Sequence, residues 1–465
     1  MTASEVFKRE FSRDNLLIIY REHIAETSAI GIDRLGRNQF ERDLDRHIDV
    51  IYRKARDGSY RFSQYKEKLI SKGAKKPPRV ISIPTFRDRV VLRALCNVLR
   101  AVFETDVSQK IPQAVIFGIK GAIESGEYSH FAKLDIKEFY PSIQHHLLLT
   151  RLRRRMRKKD LLDLISAALE TPTVPHPTRT ANPASSGVPQ GLSISNILAE
   201  VYLSAFDGRY ASRPEIRYFR YVDDVLLLAK GDASHLVEEM RVDLQKNHGL
   251  SAHELSSAGG KTICGEISED FSFLGYQFRN GRCLAKSESV KRLEDSLADI
   301  FTTYKYKVAG IMAQPLDQQG RDLKLRVARN ILLWRLNLRI TGCIFEGARK
   351  GWIFYFSQID ESNLDQLWRL DQTVKNLLKR FHLPADVTVK TFVRTYFEAK
   401  RRGVSDMRYI PNFDTTSIDE QRRILSQYFG VLNLEYWSDA DVAREFAVRI
   451  RRATRELEHD IQDIS

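Results

Sequence analysis

Residues 217–229 read RYFRYVDDVLLLA, with two consecutive aspartates, Asp223 and Asp224, between runs of aromatic and branched residues. Such runs favour extended chain, and two of them joined by a short polar link read as strand, tight turn, strand. The carboxylates then stand at the tip of a β-hairpin. By itself an Asp-Asp turn is common, because aspartate suits turns for local reasons. Its weight changes with FAKLDIKEFYPSI at 131–143, where Phe131 to Ile136 reads as a buried strand that carries Asp135 near its end and stops in a turn at Pro141.

Adjacent strands of one sheet can bring these three acids together. Two magnesium ions about 3.5–4 Å apart, as used in phosphoryl transfer, require hard oxygen ligands converging from at least two chain segments. The pattern outward from the hairpin is mixed. Residues 1 to about 56 read as helical, with an apolar stripe in Asn38–Lys54, and GAKKPPRVISIPT at 73–85 as a basic, proline-punctuated loop and a short strand. Helices are expected at about Arg87–Phe103 and His145–Glu170, then a loop with four prolines over Thr171–Ser186, and a helix at about Ser193–Phe206 entered through Gly187 and Gly191. A polar helix at about Ala233–Asn247 precedes two strand-like runs, KTICGEI and FSFLGYQF. Beyond about Arg282 the pattern is helical, clearest at Ser362–Phe381, with a boundary near Cys283. The expected division is therefore 1–130 for N-terminal helices and a first lobe, 131–282 for the sheet-bearing body with part of that lobe at about 145–190, 283–400 for a helical region and 401–465 for a helical extension.

The chain has 465 residues, 43% of them hydrophobic, and a formal charge of +14. That composition fits a folded protein with a large core, and the surplus of cations favours polyanions through phosphate contacts. A basic protein with some other role stays open on charge alone. The cysteines, Cys96, Cys264, Cys283 and Cys343, are far apart without the spacing of a zinc site. No apolar leader or run of about 18 apolar residues is present, so the expectation is a soluble, cytoplasmic protein with no membrane partner.

In order along the chain, DIKEFY, SGVPQGLSISN and YVDD resemble the three palm motifs of reverse transcriptases. KPPRVISIPTFRDRVV is similar to their fingers motif, Lys261 in GGKT to the lysine motif after the hairpin, and FLGY at 273–276 to the primer grip. The resemblance covers about residues 70–280 and implies an α+β right-hand polymerase: fingers, a palm with an antiparallel sheet, a helical thumb, and an α-helical C-terminal region. It implies RNA-directed DNA synthesis with two Mg2+ ions, Mn2+ being a substitute, held by Asp135, Asp223, Asp224 and the carbonyl of Ile136. Deoxynucleotides, RNA as template or structured partner, and the DNA product are the implied ligands. A homo-oligomer and a partner protein both remain open.

The resemblance also assigns roles residue by residue. Tyr140 matches the aromatic gate against a ribose 2′-hydroxyl, with core packing as its alternative. Gln190 and Gly191 match the loop beside nucleotide and template, where glycine permits close approach; helix capping is the alternative. The pattern departs at Ser193–Asn196, where many relatives carry Ser-Pro. Arg79 matches the arginine on the triphosphate, with Lys75 and Lys76 beside it. Lys261 would protonate the pyrophosphate leaving group or else face solvent.

The run RLRRRMRKK at 151–159, seven basic residues in nine, tracks phosphates or is a solvated face. Trp334, Trp352, Phe354, Tyr355 and Phe356 stack on bases or, more simply, fill a helix seam. An RNA-dependent RNA polymerase and a maturase-like RNA-binding protein are the competing readings. The phrases KLDIKEFYPSI and GVPQGLSISNILAEVYL most resemble bacterial retron, abortive-infection and defence-associated reverse transcriptases, relatives of group II intron enzymes. That likeness implies antiphage defence with a non-coding RNA, or untemplated or repetitive DNA synthesis.

Overall fold

In the computed structural model the described residues are 2–25, 27, 29–71, 77–105, 107, 111–256, 260–384, 386–401 and 409–462. They form two compact units, one of residues 1–111 and 126–266, the other of 112–125 and 267–465.

Among its described residues the first unit holds seven strands: β1 Tyr65–Ile70, β2 Arg79–Ile83, β3 His130–Asp135, β4 Thr173–Val174, β5 Ile216–Tyr221, β6 Asp224–Ala229 and β7 Ile263–Glu266. Four make an antiparallel sheet in the order β5-β6-β3-β7. Its central strand explains the run VLLLA: Val225 to Ala229 are all buried, because β6 has a neighbour on each edge and packing on both faces. The helix Ser195–Ala211 packs against β5, and the helix Ser234–His248 against β3. The second matches its expected bounds to within one residue, while the first runs on to Ala211, past its expected end at Phe206.

A second sheet, β2-β1-β4, pairs β1 antiparallel to β2 and parallel to β4. The sequence reading missed β1, whose charged YKEKLI becomes more exposed toward its end, and the two residues of β4 inside the proline loop. The expected helix His145–Glu170 is two helices, His145–Arg153 and Lys159–Glu170, with the basic run at the break between them. N-terminal helices at 3–10, 13–19 and 44–56 gather around the helix Phe86–Val102, which Thr85 caps by accepting the Asp88 N–H. One continuous core runs from Val6 to Ala252 and joins both sheets. The three acids therefore stand at one end of a sheet built into that core.

The second unit contains β8 Phe271–Phe273, β9 Tyr276–Arg279 and β10 Arg282–Ala285 as a small meander, then long helices at Ser287–Met312 and Gln318–Thr341. FLGY is the β8–β9 turn: Leu274 and Gly275 both have positive φ, 47° and 81°, as a two-residue type I′ hairpin demands. Tyr276 stacks on Tyr355 at 4.3 Å and donates to its carbonyl at 2.8 Å, which ties this turn to the short helix Trp352–Phe356. The helical reading of this region overlooked a hairpin, β11 Cys343–Phe345 with β12 Ala348–Lys350. Trp352, Phe354, Tyr355 and Phe356 are buried, and Trp334 stacks on Tyr428 at 5.6 Å, so these aromatics fill the seam rather than offer faces for bases. The C-terminal helices Ile418–Phe429 and Asp439–Gln462 close a separate core around Leu425, Val442, Phe446 and Ile450. All four cysteines are free thiols, and no described helix is long and apolar enough to cross a membrane.

Candidate active site

The register of the antiparallel sheet brings the acids together. Asp135, the last residue of β3, pairs directly with Asp224, the first of β6. Opposed residues of an antiparallel pair lie about 4.5–5.5 Å apart and share a face. Tyr221 also pairs with Asp224, which leaves Val222 and Asp223 as a two-residue turn. Val222 has φ +55°, a conformation that glycine adopts freely and a β-branched residue only under strain. The hairpin expected from RYFRYVDDVLLLA is thus present, with its tip in a conformation that the surroundings must enforce.

One of those surroundings is Arg220. Its side chain is 4% exposed, and it donates to both oxygens of Asp207 at 2.6 Å, to Glu200 at 2.7 and 3.1 Å, and to the carbonyl of Val222 at 2.8 Å. Tyr218 adds a bond to Asp207 at 2.8 Å. Burial alone would weaken the charge of Arg220, but the bonds and charges of Asp207 and Glu200 hold it protonated, above its ordinary range. Glu200 and Asp207 lie seven residues apart, two turns along one face of the helix Ser195–Ala211, so the turn is braced from that helix.

Burial raises the carboxyl of Asp223, helped by the charge of Asp135 and opposed by its own N–H and by Arg79 and Lys261. Burial likewise raises Asp224 to about 6, against the pull of Lys133, whose ammonium is 4.0 Å away. Lys261 pairs with Asp135 at 3.3 Å and with His253 Nε2 at 3.1 Å. Three acids, two lysines and Arg79 therefore influence one another at one end of the sheet. Arg79 itself is exposed at the start of β2. Lys75 and Lys76 lie outside the described residues.

The backbone beyond β3 is directed as well. Lys137 donates to the carbonyl of Ser251 at 2.7 Å and His253 to that of Asp135 at 3.0 Å, the pattern of a wide antiparallel pair between Ile136 and Ala252. In such a pair the enclosed residue turns its own carbonyl away from that neighbour. The Ile136 carbonyl accordingly faces the side on which β6 and the acid turn lie.

GVPQG joins these parts. Val188 donates to the Tyr140 carbonyl at 2.8 Å, Gly187 to that of Ile143 at 2.7 Å, and Ser82 to that of Gln190 at 2.7 Å. Gly191 has φ +100°, and a Cβ there would come within 2.8 Å of Ile81 and 3.0 Å of the Ser82 carbonyl. The close approach that requires glycine is thus to β2, the strand of Arg79. The capping alternative fails, since the helix begins at Ser195 with Ile194 at its cap and no side-chain cap bond. Tyr140 is only partly buried, and its hydroxyl donates to Asn196 Oδ1 at 2.7 Å. Burial raises its hydroxyl, with the charge of Asp223 contributing, so it stays a donor.

Residues 45–278 match the family profile described as reverse transcriptase (RNA-dependent DNA polymerase), half of the chain. The chain belongs to the reverse transcriptase family. Among curated relatives, protein YkfC of Escherichia coli is 23% identical over 317 residues, which cover 56% of this chain and 81% of YkfC. The group II intron-encoded protein LtrA of Lactococcus lactis is 27% identical over 168 residues, 34% of this chain and 27% of LtrA. Among solved structures, apo telomerase from Candida tropicalis superposes with a TM-score of 0.43 at 13% identity, covering 94% of this chain and 73% of that one. Telomerase from Candida albicans in complex with a TWJ fragment of telomeric RNA gives 0.41 at 13% identity, covering 88% and 69%.

This reverse transcriptase is accordingly an RNA-directed DNA polymerase by family, related to the group II intron enzymes, and members use divalent metal ions. Sequence reading of its site overlooked Arg220, Glu200, Asp207, Lys133, His253 and Asn196. The only signal for the brace was a set of charges 13 and 20 residues apart across a helix and a strand, a separation that no local pattern marks.

In the basic run, Arg151 is structural: it lies 4.2 Å over the Tyr202 ring, donates to the Tyr202 carbonyl and contacts His248 at 2.9 Å. Lys158 sits 4.1 Å over Phe7. Arg153, Arg154, Arg155, Arg157 and Lys159 are exposed.

Proposed function

We propose that Asp135, Asp223 and Asp224 are the metal-binding acids of deoxynucleotide transfer, with Mg2+ as the natural ion and Mn2+ able to replace it. The observation that carries this is the direct β3–β6 pairing of Asp135 with Asp224, one residue from the acid in the turn. Among the described residues no three His, Cys, Asp or Glu side chains already converge on one cation-sized point. Magnesium takes one or two carboxylates and completes its shell with waters and substrate phosphates. The donor set fits: hard oxygens only, joined by the Ile136 carbonyl on the same side. Bound there, the ions would supply positive charge to the attacking and leaving oxygens of an in-line displacement.

The remaining work falls to the chain's own groups. Arg79 grips the triphosphate through its planar fork of donors, a role supported by its exposure on β2 and its electrostatic effect on Asp223. Gln190 and Gly191 fix the distance from β2 to the Tyr140 turn, so the loop acts as a spacer between the phosphate grip and the sugar gate. Tyr140 excludes a 2′-hydroxyl and thereby selects deoxynucleotides. Lys261 neutralises Asp135 before substrate enters and gives a proton to the departing pyrophosphate, a role supported by its ion pair with Asp135. The exposed cations of 153–159 support contacts with nucleic acid backbone, and RNA is the template we assign.

The likeness of the palm motifs to defence-associated enzymes supports a cytoplasmic, antiphage setting with a structured non-coding RNA. Primer extension on an RNA template with Mg2+ and deoxynucleotides tests the chemistry. Incorporation is expected to vanish in Asp223→Ala with Asp224→Ala; a double variant that polymerises at the parent rate overturns the assignment. Loss of phage protection in cells carrying the same double variant tests the setting separately.

A further inference from the structure

We propose that Asn196 is a positioning residue for sugar selection, holding the ring of Tyr140 in place through the tyrosine hydroxyl. This rests on the reading of Tyr140 as the gate and extends it to a second residue.

A steric gate is only as selective as it is stiff. The penalty against a ribose cannot exceed what it takes to swing the ring aside, so whatever anchors the ring sets the ceiling on discrimination. The backbone of Tyr140 is already fixed, because its carbonyl accepts the Val188 N–H at 2.8 Å and the preceding Glu138 starts the short helix Phe139–Ser142 from φ +44°. Backbone anchoring leaves the two side-chain torsions free. The inner part of the ring packs against the core, with the Phe139 ring 5.5 Å away at 54°. The far end of the ring is secured by the 2.7 Å bond from the hydroxyl to Asn196 Oδ1.

The acceptor is well mounted. Asn196 is the second residue of the helix Ser195–Ala211, and the preceding Ser195 is buried and bonded to the Pro189 carbonyl at 2.6 Å. Four residues on stands Glu200, and seven beyond that Asp207, the two acids that hold Arg220 and through it the Val222 carbonyl. One helix face thus carries the anchors of both the gate and the acid turn. A shift of this helix would move both together, which keeps the distance between sugar and reacting phosphate constant. Asn196 also falls in the part of the loop where the sequence departs from the Ser-Pro of many relatives, and proline offers no side-chain acceptor. The gate hydroxyl and its amide partner are therefore matched features of this chain.

The experiment measures kcat and KM for a deoxynucleotide and the matching ribonucleotide on a primed template, using full-length Tyr140→Phe, Asn196→Ala, their double variant, Asn196→Asp and Tyr140→Val. Losing one neutral hydrogen bond is worth about fivefold. Tyr140→Phe and Asn196→Ala are each expected to lower discrimination by about that factor, through a lower KM for the ribonucleotide, and the double variant by no more than either. Asn196→Asp keeps an acceptor and should restore the ratio. Tyr140→Val should relax it further than any of these.

If Tyr140→Val leaves discrimination unchanged, the gate reading fails and takes this inference with it. If Tyr140→Val relaxes it while Tyr140→Phe and Asn196→Ala do not, the gate stands and the role of Asn196 is overturned. Additive effects in the double variant also overturn it, because they would mean that Asn196 acts by some route other than the hydroxyl.

Discussion

Replacing Arg220 with methionine tests whether the acid turn is held by its brace or merely rests beside it. Methionine keeps much of the side chain's length and removes the charge. Two carboxylates, Glu200 and Asp207, then face each other without a cation, their side chains 19% and 26% exposed. Removing one partner of a buried ion pair costs about 3–5 kcal/mol, and the part exposure of both acids puts this case near 3. Spread over a unit of about 250 residues, that corresponds to a fall in Tm of roughly 6–12 °C.

The sign of the pH dependence follows from Glu200. Burial raises its carboxyl, while the charge and hydrogen bonds of Arg220 lower it. Without Arg220 the folded value rises further above the unfolded one. A raised carboxyl contributes stability that is present below its unfolded value and lost as pH climbs through the folded one. The deficit of the variant relative to the parent should thus be smaller at pH 5 than at pH 8. Thermal unfolding at both values measures this.

Activity should suffer separately, because the Val222 carbonyl loses its donor and a turn strained at φ +55° can relax. A misplacement of about 1 Å costs on the order of a hundredfold in rate, so kcat should fall by one to two orders of magnitude. Arg220→Lys should fall between, since one ammonium cannot serve both acids and the carbonyl. A variant with Tm within about 2 °C of the parent and unchanged kcat would refute the bracing argument. So would a deficit that is larger at pH 5 than at pH 8.

Two further outcomes concern the loop and the acids. Gly191→Ala places a methyl 2.8 Å from Ile81 at φ +100°, so we expect a stability loss of about 1–3 kcal/mol and, since Arg79 shares that strand, a rise in KM for the nucleotide of tenfold or more in steady-state assays. An unchanged KM would detach the loop from the phosphate grip. In the metal-free protein Asp224 sits at about 6, above its unfolded value, so the stability that its protonated form contributes is complete below about pH 4 and lost as pH rises through 6. The side chain is 26% exposed, which limits the effect to about 2 kcal/mol. Millimolar Mg2+ should therefore raise Tm more at pH 8 than at pH 5, and Asp224→Asn should flatten that difference; a metal effect independent of pH would count against Asp224 as a ligand.

How much of this was legible in the sequence depends on the range over which the signal acts. The hairpin was readable because its alternation, its turn and its acids lie within thirteen residues, and β3 because FAKLD is a short apolar run ending in an acid. β1 was not, since YKEKLI carries charges on a strand whose later residues face solvent, and propensity says little about a half-exposed strand. The break in the basic run was hidden because arginine and lysine are good helix formers, and only packing decided that Met156 goes inward while its neighbours stay out. β11 and β12 were hidden for the opposite reason, an apolar and basic stretch that suits either state until its partners are known.

The brace shows where such reading stops. Arg220, Glu200 and Asp207 each look like ordinary surface charges, and the periodicity of the helix Ser195–Ala211 even argues for solvent at the two acids. Their meaning comes from one bond, donated by Arg220 to the Val222 carbonyl at a hairpin tip whose conformation is unsuited to valine. A glycine in that turn would have carried no such strain. Strain at Val222 and the ion network beneath it therefore belong together: relieving the first by Val222→Gly should reduce the rate penalty of losing Arg220, whereas a network that only stabilises the fold would exact the same rate penalty in either background.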